Sequence, residues 1–396
     1  MHQKKILSVA QSDKLPKNHY QEIFKNDQNF RDKFSTKIKD GFQETTFGYD
    51  LKRLFTVQTY STAEDLDIAI NFSSEESSNK LSSSDSNQQK SDDPVYIGTD
   101  QKHISTNQSD SEKISYIFQL GGKINQSKII SSVIKYCLST GSWENVSDLR
   151  HPRCNFAVVC CRYYIGVLGG QGEDRKTISD CELFFIRNNH ICRLPNMLKS
   201  RKNFVAAALH GNIYVFGGAE GEDNHSVEIF NFNDFVWRTG KSMKENFDLI
   251  GAFTYGSIIY VLGHSLNHDY HLIKSFDPKS KKWKNVGKKF QKSCNQCSAT
   301  IYKDRIYLFS DNFSAFFDIF LETWNMIPLS PKKDMHSQTV SFGDYIVTMG
   351  GSSDIDTFSE TVCQLDIKKN IWMFCKSLPF PVSNHCSLVV NTPKNF

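Results

Sequence analysis

From residue 115 to the C-terminus one pattern recurs that few folds accommodate: an apolar segment, a glycine pair, a variable stretch, an aromatic or leucine anchor, and a tryptophan. The pairs are Gly121 and Gly122, Gly169 and Gly170, Gly217 and Gly218, and Gly350 and Gly351, with Gly263 and His264 as a half-kept copy; the first three lie 48 residues apart. Trp143, Trp237, Trp283, Trp324 and Trp372 mark the other end of the repeat, and Cys192 is read as the residue replacing tryptophan in the second copy. Each has a large apolar residue seven positions earlier: Tyr136, Phe185, Phe230, Phe276, Phe317 and Leu365. A unit of this length cannot bury its own apolar face and must stack against neighbours.

The apolar segments read as strands. FAVVCC from Phe156, YYIGVLGG from Tyr163, FVAAAL from Phe204 and NIYVFGG from Asn212 are short, rich in β-formers and bounded by turn residues. FDPKSKKW, ending at Trp283, reads as a hairpin with a polar turn. Four short antiparallel strands per copy, arranged radially, give a β-propeller. The glycines end the second strand where the backbone takes unusual dihedrals, and the tryptophan anchors adjacent sheets. The fifth copy has Ser310 and Asp311 in place of glycines and only 13 residues from Asp311 to Trp324, which predicts a clipped loop. The first copy lacks a first strand, whereas Asn384 to Val390 forms a first strand with nothing after it. One completes the other, so the expectation is an all-β, six-bladed ring over residues 114–396, closed by its C-terminal strand.

These residues resemble the Kelch repeat family, over about residues 115–396. The resemblance implies a protein-binding domain. The segments HQKKILSVA from His2, NFRDKFSTKIKDGFQETTF from Asn29 and YSTAEDLDIAIN from Tyr60 resemble pieces of a BTB domain, the usual N-terminal companion of a Kelch propeller. Residues 1–72 are therefore expected to form a small α-rich, partial BTB-like segment, without the family's opening strand or its helical BACK domain. The alternative is an unrelated helical segment. The BTB resemblance implies that Ile38, Lys39 and Asp40 contact a cullin. It points to a substrate-recognition adaptor of a cullin-RING ubiquitin ligase, with an actin-binding Kelch protein as the alternative.

Composition narrows the remaining classes. Residues 73–113 are rich in Ser, Asp, Glu, Asn and Gln, with nine serines between Ser73 and Asp92, and are expected to form a disordered linker carrying phosphorylation sites. A net charge of +4 supplies little field for nucleic acid or an anionic membrane. With no long apolar run and no signal peptide, the expected location is the cytoplasm. Eleven cysteines, an odd number, fit reduced thiols. Cys294 and Cys297 form a lone CxxC read as structural, and His264, His268 and His271 are read as solvated loop residues before a metal site. No glycine-rich nucleotide motif is present. The secreted copper oxidases that share the Kelch propeller carry further domains not found in this sequence. No enzyme, cofactor or metal is expected.

Binding is expected in the loops, and the Kelch resemblance implies that two sets converge on one face: the loops following each glycine pair, and the segments leading into each first strand, here HPRCNF, SRKNF, KENFD, KSCNQC, KKDMHS and VSNH. Arg153, Arg201, Asn155, Asn203, Asn246, Asn295, His336 and Asn384 are the candidate rim. Two readings stand: a cationic bowl for an acidic or phosphorylated protein segment, or turn-forming asparagines among solvating lysines.

Overall fold

A computed structural model describes residues 113–393, except 138–139, 162–163, 220–224, 245–246, 266–268, 293–295, 332–333 and 354–355. The expected α-rich segment, the Ser-rich linker, and Ile38, Lys39 and Asp40 lie outside the described residues. Every described element is a strand, and the 24 strands form six four-stranded antiparallel sheets.

Blade one contains β1 (Lys113–Leu120), β2 (Ser132–Cys137) and β3 (Ser142–Asp148). Blade two is β4 (Ala157–Cys161), β5 (Tyr164–Gln171), β6 (Thr177–Phe185) and β7 (His190–Leu194). Blade three is β8 (Val205–Leu209), β9 (Asn212–Phe216), β10 (Val227–Asn231) and β11 (Val236–Thr239). Blade four is β12 (Asp248–Tyr255), β13 (Ile258–Ser265), β14 (Tyr270–Asp277) and β15 (Lys282–Phe290). Blade five is β16 (Cys297–Tyr302), β17 (Arg305–Ser310), β18 (Ser314–Asp318) and β19 (Thr323–Met326). Blade six is β20 (Gln338–Phe342), β21 (Tyr345–Met349), β22 (Val362–Asp366) and β23 (Ile371–Phe374). The last strand, β24 (Cys386–Pro393), pairs with β1 along its whole length, Lys113 opposite Pro393 and Leu120 opposite Cys386.

That pairing supplies blade one with its first strand from the far end of the chain, as the sequence predicts. First strands face the axis: β4 packs on β8, β8 on β12, β12 on β16, β16 on β20, β20 on β24 and β24 on β4. Six buried apolar clusters follow, one between each pair of neighbouring blades.

Register shows why the anchor and tryptophan sit seven residues apart. Each pair faces itself across the outer hairpin: Tyr136 with Trp143, Phe230 with Trp237, Phe276 with Trp283, Phe317 with Trp324, and Leu365 with Trp372. On the other side each anchor faces an isoleucine of the second strand, namely Ile117, Ile213, Ile259, Ile306 and Ile346. In blade two the residue facing the equivalent Ile165 is Phe184, and Phe184 pairs with Ile191. This corrects the assignment of Phe185 and Cys192 to those places. Adjacent Phe184 and Phe185 fit the seven-residue spacing equally well, and only strand register separates them.

The tryptophans also tie blades together. The indole Nε1 of Trp237 donates to the carbonyl of Pro195, that of Trp283 to Lys241, that of Trp324 to Lys288 and that of Trp372 to Pro328, each acceptor on the preceding blade, at 2.8–3.2 Å. Turns closing the outer hairpins are built locally, since side-chain oxygens of Asn231, Asp277, Asp318 and Asp366 accept backbone amides two or three residues on. In blade five the loop after the second strand shrinks to Asp311, Asn312 and Phe313, where the Ser310 hydroxyl accepts the amides of Asn312 and Phe313. The clipped loop read from the sequence is thus present.

Glycine is required at the pairs. Gly170 has φ +102°, and a Cβ there would lie 2.6 Å from the Phe156 Cβ and 2.7 Å from the Cys154 carbonyl oxygen. Gly170→Val is expected to lower unfolding free energy by about 3 kcal/mol, from backbone strain plus overpacking. An unchanged urea midpoint would show that the loop relaxes freely.

Candidate functional site

Lead-in loops to the first strands meet at one end of the axis, where their backbones form a collar. Asn203 donates its amide to the Asn155 carbonyl at 3.0 Å, Asn155 to Asn384 at 3.1 Å, and Asn384 to His336 at 3.4 Å. All four residues have left-handed φ, between 51° and 55°. Asparagine enters this region at least cost among residues with a Cβ, which explains its recurrence in the loops. The Asn384 side chain joins the collar twice, its Nδ2 donating to Asn155 Oδ1 at 2.7 Å and to His336 Nδ1 at 3.0 Å. An acceptor Nδ1 requires a neutral imidazole, and burial, followed by the Lys123 charge, holds the His336 pKa below its ordinary value.

The collar surrounds a cavity of about 350 Å³ at the mouth of the channel. Asn155, Asn203, His336 and Asn384 line it, joined by Lys123 and Gln126 from the loop after the first glycine pair. Met335 and Phe358 add a limited apolar wall. The turn-forming reading of the asparagines therefore holds at these positions, and the same residues present their amides to the cavity. Asn246 and Asn295 lie outside the described residues.

Arg153 and Arg201 are not on this surface. Both are 0% exposed, which corrects their assignment to a cationic rim. Arg153 Nη1 donates to the carbonyls of Gly169 and Asp180, and Nη2 to the Glu182 carboxylate. Arg201 repeats the arrangement, with Nη1 2.5 Å from the Gly217 carbonyl oxygen and Nε and Nη2 3.0 and 2.7 Å from Glu228 Oε1. The same carboxylates accept loop amides, Arg150 on Glu182, and Leu198 and Lys199 on Glu228. Removing one partner of such a buried pair costs roughly 3–5 kcal/mol, so neither guanidinium is available to a ligand. The signal lay in the repeats themselves. Only copies with the loop arginine carry glutamate at the facing third-strand position, where the others have Ile134, Lys274, Ala315 and Cys363.

The side chains weighed for chemistry are also structural. His264 and His271 face each other on β13 and β14, so they are not solvated loop residues, because the strands run on past Gly263. His271 is fully buried and its pKa is lowered to about 4, first by burial and then by His264. His268 and Cys294 lie outside the described residues. Among the described residues no group of three or more His, Cys, Asp or Glu could hold a metal ion. Burial pushes the thiols of Cys160 and Cys181 up to about 12, which keeps them protonated core side chains. Nine described cysteines are free, but Cys297 is disulfide-bonded, which corrects the expectation of thiols throughout.

Residues 106–310, about half of the chain, match the KLHDC2/KLHL20/DRC7 Kelch-repeats domain. The chain belongs to the Kelch-repeat family. Relatives include an F-box/LRR-repeat/kelch-repeat protein of Arabidopsis thaliana, 31% identical over 20% of this chain and 21% of the relative. Kelch repeat and BTB domain-containing protein 1 of cowpox virus is 24% identical over 42% of this chain and 31% of its own. Kelch-like protein 41a of Danio rerio is 25% identical over 36% and 24% respectively. The chain thus spans between about a fifth and a third of the length of these relatives. A Kelch propeller is a protein-interaction domain, and the collar is where its loops converge.

Two outcomes test this assignment of roles. Arg201→Met should destabilise the Kelch propeller by about 3–5 kcal/mol in urea melts, while Arg201→Met with Glu228→Leu should restore more than half of the loss. A double variant as unstable as the single would show that the pair does not act as a unit. His271 gives a pH signature: with its folded pKa depressed to about 4, the unfolded chain alone takes up the proton between pH 6.5 and 4, so stability is full above 6.5 and falls as pH drops through that window. The His271→Phe variant should lose about 3 kcal/mol less than the native protein between pH 7.5 and 4.

Proposed function

We propose that this protein is a substrate-recognition subunit: the Kelch propeller holds a protein target at the collar, and residues 1–72 hold a cullin of a ubiquitin ligase. The observation that carries the recognition half is the cavity itself. Its polar wall is made of amide side chains held by a hydrogen-bonded collar, with one cationic side chain, Lys123, and no carboxylate among its lining residues. Such a wall suits an acidic or phosphorylated segment, whose oxygens would accept from Lys123 and from the amide NH₂ groups. With Arg153 and Arg201 buried, Lys123, in the loop after a glycine pair, supplies the charge. The ligase half rests on the relatives whose names couple Kelch repeats with a BTB domain, and on Ile38, Lys39 and Asp40 in the BTB-like stretch. This proposal places the protein in the cytoplasm.

Lys123→Glu in the full chain should weaken binding to an array of acidic and phosphoserine peptides about tenfold or more without moving the thermal midpoint. Equal binding by the variant would remove the cavity from the mechanism. Ile38→Ala with Asp40→Lys should abolish co-purification of a cullin from cells while leaving the peptide signal intact. Cullin recovered in native amount would rule out the ligase role of that segment, and pelleting of the native protein with actin filaments would favour a cytoskeletal one.

A further inference from the structure

Eight large apolar side chains are strongly exposed among the described residues, and seven of them fall on blades five and six: Phe320, Leu321, Met326, Leu329, Ile371, Met373 and Phe374. Phe320, Leu321 and Phe374 are 68%, 70% and 72% exposed. They lie along β19 and β23, the outermost strands of these blades, in the hairpin before β19 and, for Leu329, in the segment after it. The Trp372 indole of β23 donates to the carbonyl of Pro328, between Met326 and Leu329, so the two blades are bonded to each other at this rim.

The other blades differ in a systematic way. Outer strands of blades one to four expose charge: Glu144 and Asp148 on β3, Arg193 on β7, Arg238 on β11, and Lys282, Lys284, Lys288 and Lys289 on β15. Charge on a sheet edge guards against association, and its absence from TWNM and IWMF, together with the seven exposed apolar side chains of these two blades, marks edges open to a partner.

We propose that the outer rim of blades five and six docks this chain's own N-terminal segment, through its apolar stretch from Phe24 to Phe55. Three observations select this occupant. The stretch contains Phe24, Phe30, Phe34, Ile38, Phe42, Phe47, Leu51, Leu54 and Phe55, an apolar complement of the right kind. The preceding chain joins the ring at Lys113, in blade one, which packs directly against blade six. β1 runs from Lys113 toward Gly121 on the collar face, so Lys113 lies at the opposite face, the end of the rim that bears Phe320, Leu321 and Ile371, while Met326, Leu329 and Phe374 lie toward the collar end. If residues 73–112 behave as the flexible linker their composition predicts, those roughly 40 residues alone would have an r.m.s. reach of about 35 Å, more than the width of a four-stranded blade. Tethering makes the contact intramolecular, so a modest apolar surface suffices. The docking does not rest on the cullin reading, but its stretch includes Ile38, so the rim and a cullin would compete for that residue.

The test uses the full-length chain with Phe374 replaced by the photo-crosslinker benzoylphenylalanine, and Lys284 so replaced as a control. Irradiation should join position 374 to peptides within residues 24–55, in monomeric species and independently of protein concentration, with no such product from position 284. Cross-links only within dimers would show that a second copy covers the rim, and cross-links elsewhere, or none, would show that the segment does not dock; each overturns the proposal. Separately, Leu321→Glu with Phe374→Glu should speed proteolytic cleavage within residues 24–55 at least about tenfold while the thermal midpoint of the ring stays put. Unchanged cleavage would also overturn it.

Discussion

One position, Arg153 in blade two and Arg201 in blade three, joins consecutive blades through two bonds of opposite direction. Its main-chain carbonyl accepts the amide of the preceding blade's second glycine, Gly122 for Arg153 and Gly170 for Arg201. Its side chain donates to the first glycine of its own blade, Gly169 or Gly217. In blade one Val382 keeps the carbonyl half, accepting from Gly351 without the guanidinium. Each amide is buried, and leaving one unpaired costs about 1–3 kcal/mol, so the glycine pairs and lead-in loops are bound to one geometry. The positive φ of the glycines exists to let two backbones approach closely enough for this bond.

From that geometry the collar follows. Once the residue two places before each asparagine is fixed, Asn155 and Asn203 are carried to the axis, and their left-handed conformations direct one loop's amide at the next loop's carbonyl. Arginine and asparagine, two residues apart in sequence, therefore divide the work: the first is consumed inside the blade, the second is presented at the mouth. The cavity is rigid where its wall is asparagine, while its charge comes from Lys123, on a loop that bridges to Ser383.

Much of the architecture was legible because it is written once per repeat. Glycine pairs and tryptophans located the blades, and the orphan strand ending at Val390 located the closure. What sequence could not separate were alternatives one residue apart. Phe184 and Phe185 are both aromatic, and only pairing with Ile165 shows which is the anchor. The arginines were misplaced for a different reason. A loop cation reads as solvated unless its counter-charge is found, and Glu182 and Glu228 lie 29 and 27 residues away. Lys123 belongs to a loop set that the resemblance points to, but to the variable stretch of the repeat, where copies share no pattern that singles out one residue. Register and burial are properties of the ring, and a linear pattern contains them only where every copy repeats the same solution.

The pairing of β1 with β24 has a consequence for how the chain is made. Blades two to six are each contiguous in sequence, so each can assemble as it leaves the ribosome, adding to the one before. Blade one cannot, since the strand that lies between β1 and the axis is the last of the described ring strands to be translated. Throughout synthesis the inner edge of β1 and the apolar face around Ile117 and Phe118 await a partner some 270 residues downstream. Translation must pass Pro393 before the circle exists, which makes β24 a checkpoint for the ring strands that precede it and leaves a product truncated before it with both an open edge and an uncovered core.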